Sequence, residues 1–210
     1  VPVERDGFLY GRGASDMKSG LAAMVYALCE YKKSGRPVPR TIRFLGTCDE
    51  EKGGIGAREI LKEVPETSIG TLLIGEPTGC RLGMAQKGCL WLEIEAHGKT
   101  SHGAYPQEGC NAVEQAMALT GEIETYVRSF THPVLGASTA QVTQISGGVA
   151  PNMTPDTCRI LMDIRMTPGL TSQMVVGQAE AFAAARSVTS EEKFRVSCRI
   201  VNDRRAIEIG

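Results

Sequence analysis

The stretch Thr157-Cys-Arg-Ile-Leu-Met-Asp-Ile-Arg-Met166 carries the clearest alternation in the chain. Cys158, Ile160, Met162, Ile164 and Met166 fall on one face, while Arg159, Asp163 and Arg165 fall on the other. Side chains along a strand point alternately to opposite faces, so this is a β-strand with one face on a core and one toward solvent. Working backward, Leu90, Leu92, Ile94 and Ala96 alternate with Trp91, Glu93, Glu95 and His97 in the same manner. Between these strands, 111–128 reads as a helix carrying Val113, Ala116, Met117, Ile123 and Val127 inward, followed by a strand near Thr139–Ile145 and a turn at Gly147-Gly148. Working forward, a helix near 172–186 precedes a strand bearing Phe194, Val196, Cys198 and Ile200. The order β-α-β-β-α-β is the ferredoxin-like arrangement and assigns 84–203 to one domain.

Residues 1–83 follow a different pattern. Leu21, Met24, Val25 and Leu28 recur at helical spacing, with Ser15 or Asp16 as the expected cap. Thr41-Ile-Arg-Phe-Leu-Gly46 and Thr71-Leu-Leu-Ile-Gly75 read as buried strands, with a second helix near 56–63 between them. Helices alternating with apolar strands predict an α/β domain with a parallel sheet. Residues 204–210 are expected to begin a return into that domain.

The composition excludes several function classes. Twenty-three basic and 24 acidic residues give a net charge of −1 with no basic stripe, which disfavours nucleic acid as a partner. No apolar run approaches the roughly 20 residues of a membrane span, and the opening residues lack a signal-peptide pattern, so a cytoplasmic location is expected. Seven scattered cysteines without a CxxC pair are expected to be reduced core thiols rather than a disulfide or zinc framework.

Asp16, Glu50, Glu51 and Glu76 all sit where a predicted strand ends or a helix begins, the edge at which open α/β sheets bind ligands. Converging carboxylates repel unless protonated or neutralised, and a pair of divalent cations is the usual remedy. The adjacent Glu50-Glu51 suits two tasks, one carboxylate holding metal while the other takes a proton from the attacking water. Each acid alone has a plainer reading: Asp16 as a helix cap, Glu50-Glu51 as a solvated first helical turn, Glu76-Pro77 as a turn. Gly13-Ala-Ser-Asp-Met-Lys-Ser19 mimics a phosphate-binding loop, but Met17 stands where that motif requires glycine. His97 on a strand and His132 before Pro133 read as surface residues. His102, within Gly98-Lys-Thr-Ser-His-Gly-Ala-Tyr-Pro106, lies in a loop of small residues that a ligand can approach.

Four stretches in order, Gly11-Arg-Gly-Ala-Ser-Asp-Met-Lys-Ser-Gly20, Cys48-Asp-Glu-Glu-Lys-Gly-Gly54, Gly75-Glu-Pro-Thr78 and Ser101-His-Gly-Ala-Tyr-Pro106, resemble the M20 metallopeptidases. Within that family the chain is most similar to the acetylornithine deacetylase and succinyl-diaminopimelate desuccinylase branch. The resemblance implies a catalytic domain with two zinc ions, cobalt or manganese being the alternatives, and an inserted lid and dimerisation domain. By similarity Asp16 would bridge the metals, Glu51 and Glu76 would bind one each, and Glu50 would be the general acid/base. His102 would stabilise the oxyanion in the partner subunit of a homodimer, and Asn152, Arg165 and Tyr105 would contact substrate. A cis peptide is implied between Asp16 and Met17.

The implied reaction is hydrolysis of the amide bond of an N-acyl amino acid or small peptide. A dipeptidase or aminopeptidase of the same family is the enzymatic alternative, and a non-catalytic dimerisation module the other. The family's two histidine metal ligands have no counterpart here, so the chain is expected to be a fragment. Activity is expected of the full-length parent, with neither tight metal binding nor activity expected of this chain alone.

Overall fold

In the computed structural model, which describes residues 1–189 and 193–209 apart from the side chains of Lys52, Glu66 and Thr189, the chain divides into Val1–Leu82 and Gly83–Gly210. The first unit opens with a hairpin of β1 (Val3–Arg5) and β2 (Phe8–Tyr10), paired antiparallel with Arg5 opposite Phe8. Its turn residues Asp6 and Gly7 both have positive φ, 54° and 76°, as Asp-Gly adopts in tight hairpins. Helix α1 (Ser19–Lys33) follows an irregular turn at Ala14–Lys18, and α2 (Ile55–Glu63) lies further on.

Three expectations for this unit are corrected. Neither Ser15 nor Asp16 caps α1, because the helix begins at Ser19 and Asp16 is extended, at φ −113° and ψ 104°. The runs 41–46 and 71–75 are not strands, and every strand pairing among the described residues is antiparallel. A strand exists through bonds to a neighbour, and these runs have no ladder partner among the described residues, so the expected parallel sheet is absent there. Finally, Ile42, Phe44, Leu72, Leu73 and Ile74 are exposed rather than buried.

The core lies in the second unit. Strands β4 (Gly88–His97), β7 (Thr139–Gly147), β8 (Thr157–Met166) and β9 (Arg195–Arg204) form one antiparallel sheet in the order β7-β8-β4-β9. Helices α3 (Ala112–Arg128) and α4 (Ser172–Thr189) complete the β-α-β-β-α-β order. The alternation read from the sequence is the alternation of burial: Leu90, Leu92, Ile94 and Ala96 of β4, and Cys158, Ile160, Met162, Ile164 and Met166 of β8, are at most 1% exposed. Ile94 faces Ile160 on one side and Cys198 on the other. The opposite face carries cross-strand ion pairs, Arg199–Glu93 at 2.8 Å and Arg159–Glu95 at 3.4 Å, each worth little in solvent. Edge strand β7 buries only Ala140 and has a register shift between Val142 and Gln144.

Helix α3 is capped by Asn111, whose side chain accepts from the amides of Val113 and Glu114 at 3.0 and 3.3 Å. Its inward face is Ala116, Leu119, Thr120, Ile123 and Val127, whereas Met117, expected inward, is exposed. Two short ribbons finish the unit. In one, β5 (Thr131–His132) pairs with β6 (Gly136–Ala137); in the other, β3 (Ala85–Gln86) pairs with β10 (Ile207–Glu208). Residues 207–208 thereby pair within the second unit. His132 is not a surface residue: its side chain is 9% exposed, its Nε2 lies 3.0 Å from Glu208, and its Nδ1 accepts from Val134 and Leu135 amides. Cysteine burial also divides the expectation. None of the seven forms a disulfide; Cys110 and Cys158 are buried, Cys89 and Cys198 half-buried, but Cys29, Cys48 and Cys80 are exposed. Burial, followed by the charge of Glu180, pushes the Cys198 thiol up to about 11. No helix among the described residues is long and apolar enough to cross a membrane.

Candidate functional site

In the first unit, the acids are positioned by tight backbone. Glu50 and Glu51 occupy a single 3₁₀ turn, Glu50–Lys52, flanked by Asp49 at φ 57° and by Gly53 and Gly54 at φ 106° and 66°. Aspartate and glycine are the residues that tolerate this left-handed region. The amides of Gly53 and Gly54 close the turn onto the carbonyls of Glu50 and Asp49 at 3.2 and 2.7 Å. Asp16 sits in the irregular turn before α1, with the expected cis peptide between Asp16 and Met17.

The start of α1 meets the segment that carries Glu76. A Cβ at Gly20 would overlap the carbonyl oxygen of Gly75, and one at Gly75 would crowd the methyls of Met24 and Met17. Glycine at position 20 is required for this approach, because the obstacle there is backbone, whereas at Gly75 it is the flexible ends of methionines. It brings Asp16 and Glu76 into one neighbourhood, which Glu50 joins: partial burial, then the charges of Asp16 and Glu50, raise the Glu76 carboxyl above its ordinary range. Mutually repelling carboxylates are a hard-oxygen donor set suited to a divalent cation. Among the described residues, however, no group of three His, Cys, Asp or Glu side chains already stands in position to hold one. The donor chemistry fits and the ligand set is incomplete.

A raised carboxyl means that the folded state binds this proton more readily than the unfolded one. Its stabilising contribution is full below the ordinary carboxylate pKa and is lost as pH rises through the raised value. Glu76→Gln should therefore stabilise the first unit at neutral pH by about 0.5 kcal/mol or less for such a solvent-screened group. The gain should close as pH falls through the carboxylate range, which paired thermal melts across pH would reveal.

In the second unit, His102, Tyr105 and Asn152 come together. His102 bridges Met153: Gly103 donates to the Asn152 carbonyl at 2.8 Å and Thr154 donates to the Ser101 carbonyl at 2.9 Å. Nδ1 of His102 accepts from the Ala104 amide at 3.2 Å, and its ring stands 6.2 Å from that of Tyr105. An Nδ1 that accepts carries no proton, so Nε2 bears the N–H and remains a donor.

Arg165 stands apart from this group. Nε and Nη2 bond Asp163 at 2.8 and 3.0 Å, so its fork is already occupied by a carboxylate. It also lies toward the Met166 end of β8, whereas His102 and Asn152 adjoin the end where His97 pairs with Thr157. The eight residue steps from 157 to 165 span roughly 26 Å at strand rise.

Two features had little sequence signal. The Gly20–Gly75 approach could have been suspected from a glycine in the first turn of a helix. The contact of Ser101 with Thr154 could not, since nothing local marks it.

The chain matches the family described as peptidase family M20/M25/M40 over residues 1–198. It is 31% identical to the acetylornithine deacetylase of Myxococcus xanthus, across 98% of this chain and 54% of the relative. It is 30% identical to the succinyl-diaminopimelate desuccinylase of Paracoccus denitrificans, across 92% of this chain and 53% of the relative. Among solved structures, a tripeptidase from Staphylococcus aureus is similar in fold, with a TM-score of 0.63 at 21% identity, covering all of this chain and 55% of that one. The chain thus spans about half the length of these proteins. A profile match over nearly the whole chain, together with relatives at 30% identity or more, establishes that the chain belongs to peptidase family M20/M25/M40.

Proposed function

We propose that the chain contributes to metal-dependent hydrolysis of the amide bond of an N-acyl amino acid, of the deacetylase or desuccinylase type. The observation that carries this reading is the approach of Asp16 and Glu50 to Glu76, whose carboxyl they raise. The two relatives named for removal of an acyl group from an amino acid support the substrate class. In this reading Asp16, Glu51 and Glu76 would hold a pair of divalent cations, zinc in the first instance. Bound cations would polarise the scissile carbonyl and acidify water.

The remaining steps belong to side chains of this chain. Glu50 accepts a proton from the attacking water and returns it to the leaving amine. In a homodimer His102, donating through Nε2, would offer an N–H to the oxyanion in the partner subunit's site, and Asn152 and Tyr105 would contact substrate. The second unit serves as the lid, and as the surface through which two copies associate.

Equilibrium dialysis against zinc, run beside Glu51→Ala, tests the metal site. Two zincs per chain, lost in the variant, would make these residues sufficient. Absence of Glu51-dependent zinc would require ligands from outside the 210 residues. Cleavage of N-acetyl and N-succinyl amino acids in preference to dipeptides is the expected specificity of the active protein; the reverse preference would overturn it.

A further inference from the structure

We propose that Ser101 and Thr154 are positioning residues, a paired-hydroxyl clasp that fixes His102 in the orientation where its Nδ1 accepts from Ala104 and its Nε2–H points outward as a donor. This deepens the oxyanion role proposed for His102 and rests on that role for its catalytic meaning.

The clasp is built from two bonds between the same two residues, which lie 53 positions apart. The Thr154 amide donates to the Ser101 carbonyl at 2.9 Å, and the two hydroxyl oxygens are 2.7 Å apart. Thr154 is 8% exposed, so its hydroxyl has little water to fall back on. One hydroxyl must donate and the other accept. A methyl at either position leaves the remaining hydroxyl without that partner.

The chain is gripped on the C-terminal side of His102 too. The Gly103 amide donates to the Asn152 carbonyl, so the backbone of His102 is fixed between two cross-loop bonds, one before and one after it. Further down, Gly98 donates to Asp156 at 2.8 Å and Ala112 to Pro155 at 2.8 Å, tying both loops to the start of α3. Space is closed as well: a Cβ at Gly109 would collide with the Ser101 hydroxyl and the Lys99 carbonyl. With its backbone fixed, the imidazole can settle onto the Ala104 amide; with the backbone loose, that weak bond at 3.2 Å competes with water. Preorganisation of a donor in this manner is what makes it effective toward developing charge.

The test is the imidazole nitrogen spectrum of His102 in the 210-residue chain, recorded in mildly alkaline buffer for the parent, Ser101→Ala, Thr154→Val and Thr154→Ser. In the parent, Nδ1 should resonate as an unprotonated, hydrogen-bonded nitrogen. In Ser101→Ala and Thr154→Val it should move toward the position of a free, tautomerically averaged imidazole, and Thr154→Ser should restore it. The double variant Ser101→Ala/Thr154→Val should shift no further than either single one, as two halves of one interaction require.

Trp91 emission, which reports the fold of the second unit, must stay that of the parent. An unchanged His102 signal in folded variants would overturn the proposal. So would unfolding of the unit by both single variants, since a device that sets one loop does not hold up the core. The result is independent of zinc binding and turnover: a chain without hydrolytic partners would still display the shift, and an active enzyme could still lack it.

Discussion

Ile94→Ala is expected to destabilise the second unit by about 3 kcal/mol, within the roughly 2–5 kcal/mol typical of emptying a buried aliphatic site. Ile94 is fully buried in the centre of β4, between Ile160 and Cys198, with the inner faces of α3 and α4 completing the same core. Both neighbouring strands are inner-face partners, so collapse into the space would have to move two ladders at once, which places the cost above the minimum. The measurement is a urea titration followed by Trp91, the single tryptophan of the chain, which lies three residues from Ile94 on the opposite face of the same strand. The midpoint should fall with the slope unchanged. A loss below about 1 kcal/mol would mean that the core is looser than its burial indicates.

The second large effect concerns Gly20, where two contributions oppose each other. Alanine is favoured over glycine within a helix by up to about 1 kcal/mol, so an open site would be stabilised by Gly20→Ala. Here the added Cβ meets the Gly75 carbonyl oxygen, and overpacking against backbone costs about 1–3 kcal/mol. The sum predicts loss, read as amide exchange in α1 accelerated on the order of tenfold. The same variant should separate Asp16 from Glu76, so carbon-detected titration should show the Glu76 carboxyl returning toward its ordinary range. Slower exchange together with an unmoved Glu76 would show that α1 does not rest on Gly75.

The contrast between the two units explains which elements the sequence alone makes legible. Strands β4 and β8 are legible because each has a strict two-residue alternation that one-sided burial enforces. The face of α3 is nearly legible; Met117 reads as inward because it neighbours Ala116, yet a shift of one residue turns a helical side chain by about 100°. In the first unit, apolar composition alone suggests strands at 41–46 and 71–75, but composition records a tendency and a ladder needs a partner. The β1–β2 hairpin carries its signal locally, in the Asp6-Gly7 pair.

The site is legible through motifs rather than spacing. The charges of Asp16 and Glu50 both reach Glu76. The charge of Arg165 suits a substrate carboxylate, and only the structure reveals that Asp163 already occupies its fork. The loop position of His132 suggests exposure, and the partner that ties it down, Glu208, lies 76 positions away.

The unpaired runs at 41–46 and 71–75 have a consequence for handling. The second presents Leu72, Leu73 and Ile74 in succession and the first Ile42 and Phe44 on either side of Arg43, all in contact with solvent and with backbone groups outside any ladder among the described residues. Such segments are templates for strand addition between molecules. Association of this kind is bimolecular, whereas closure of the second unit's core is not, so recovery from denaturant becomes a race that dilution favours.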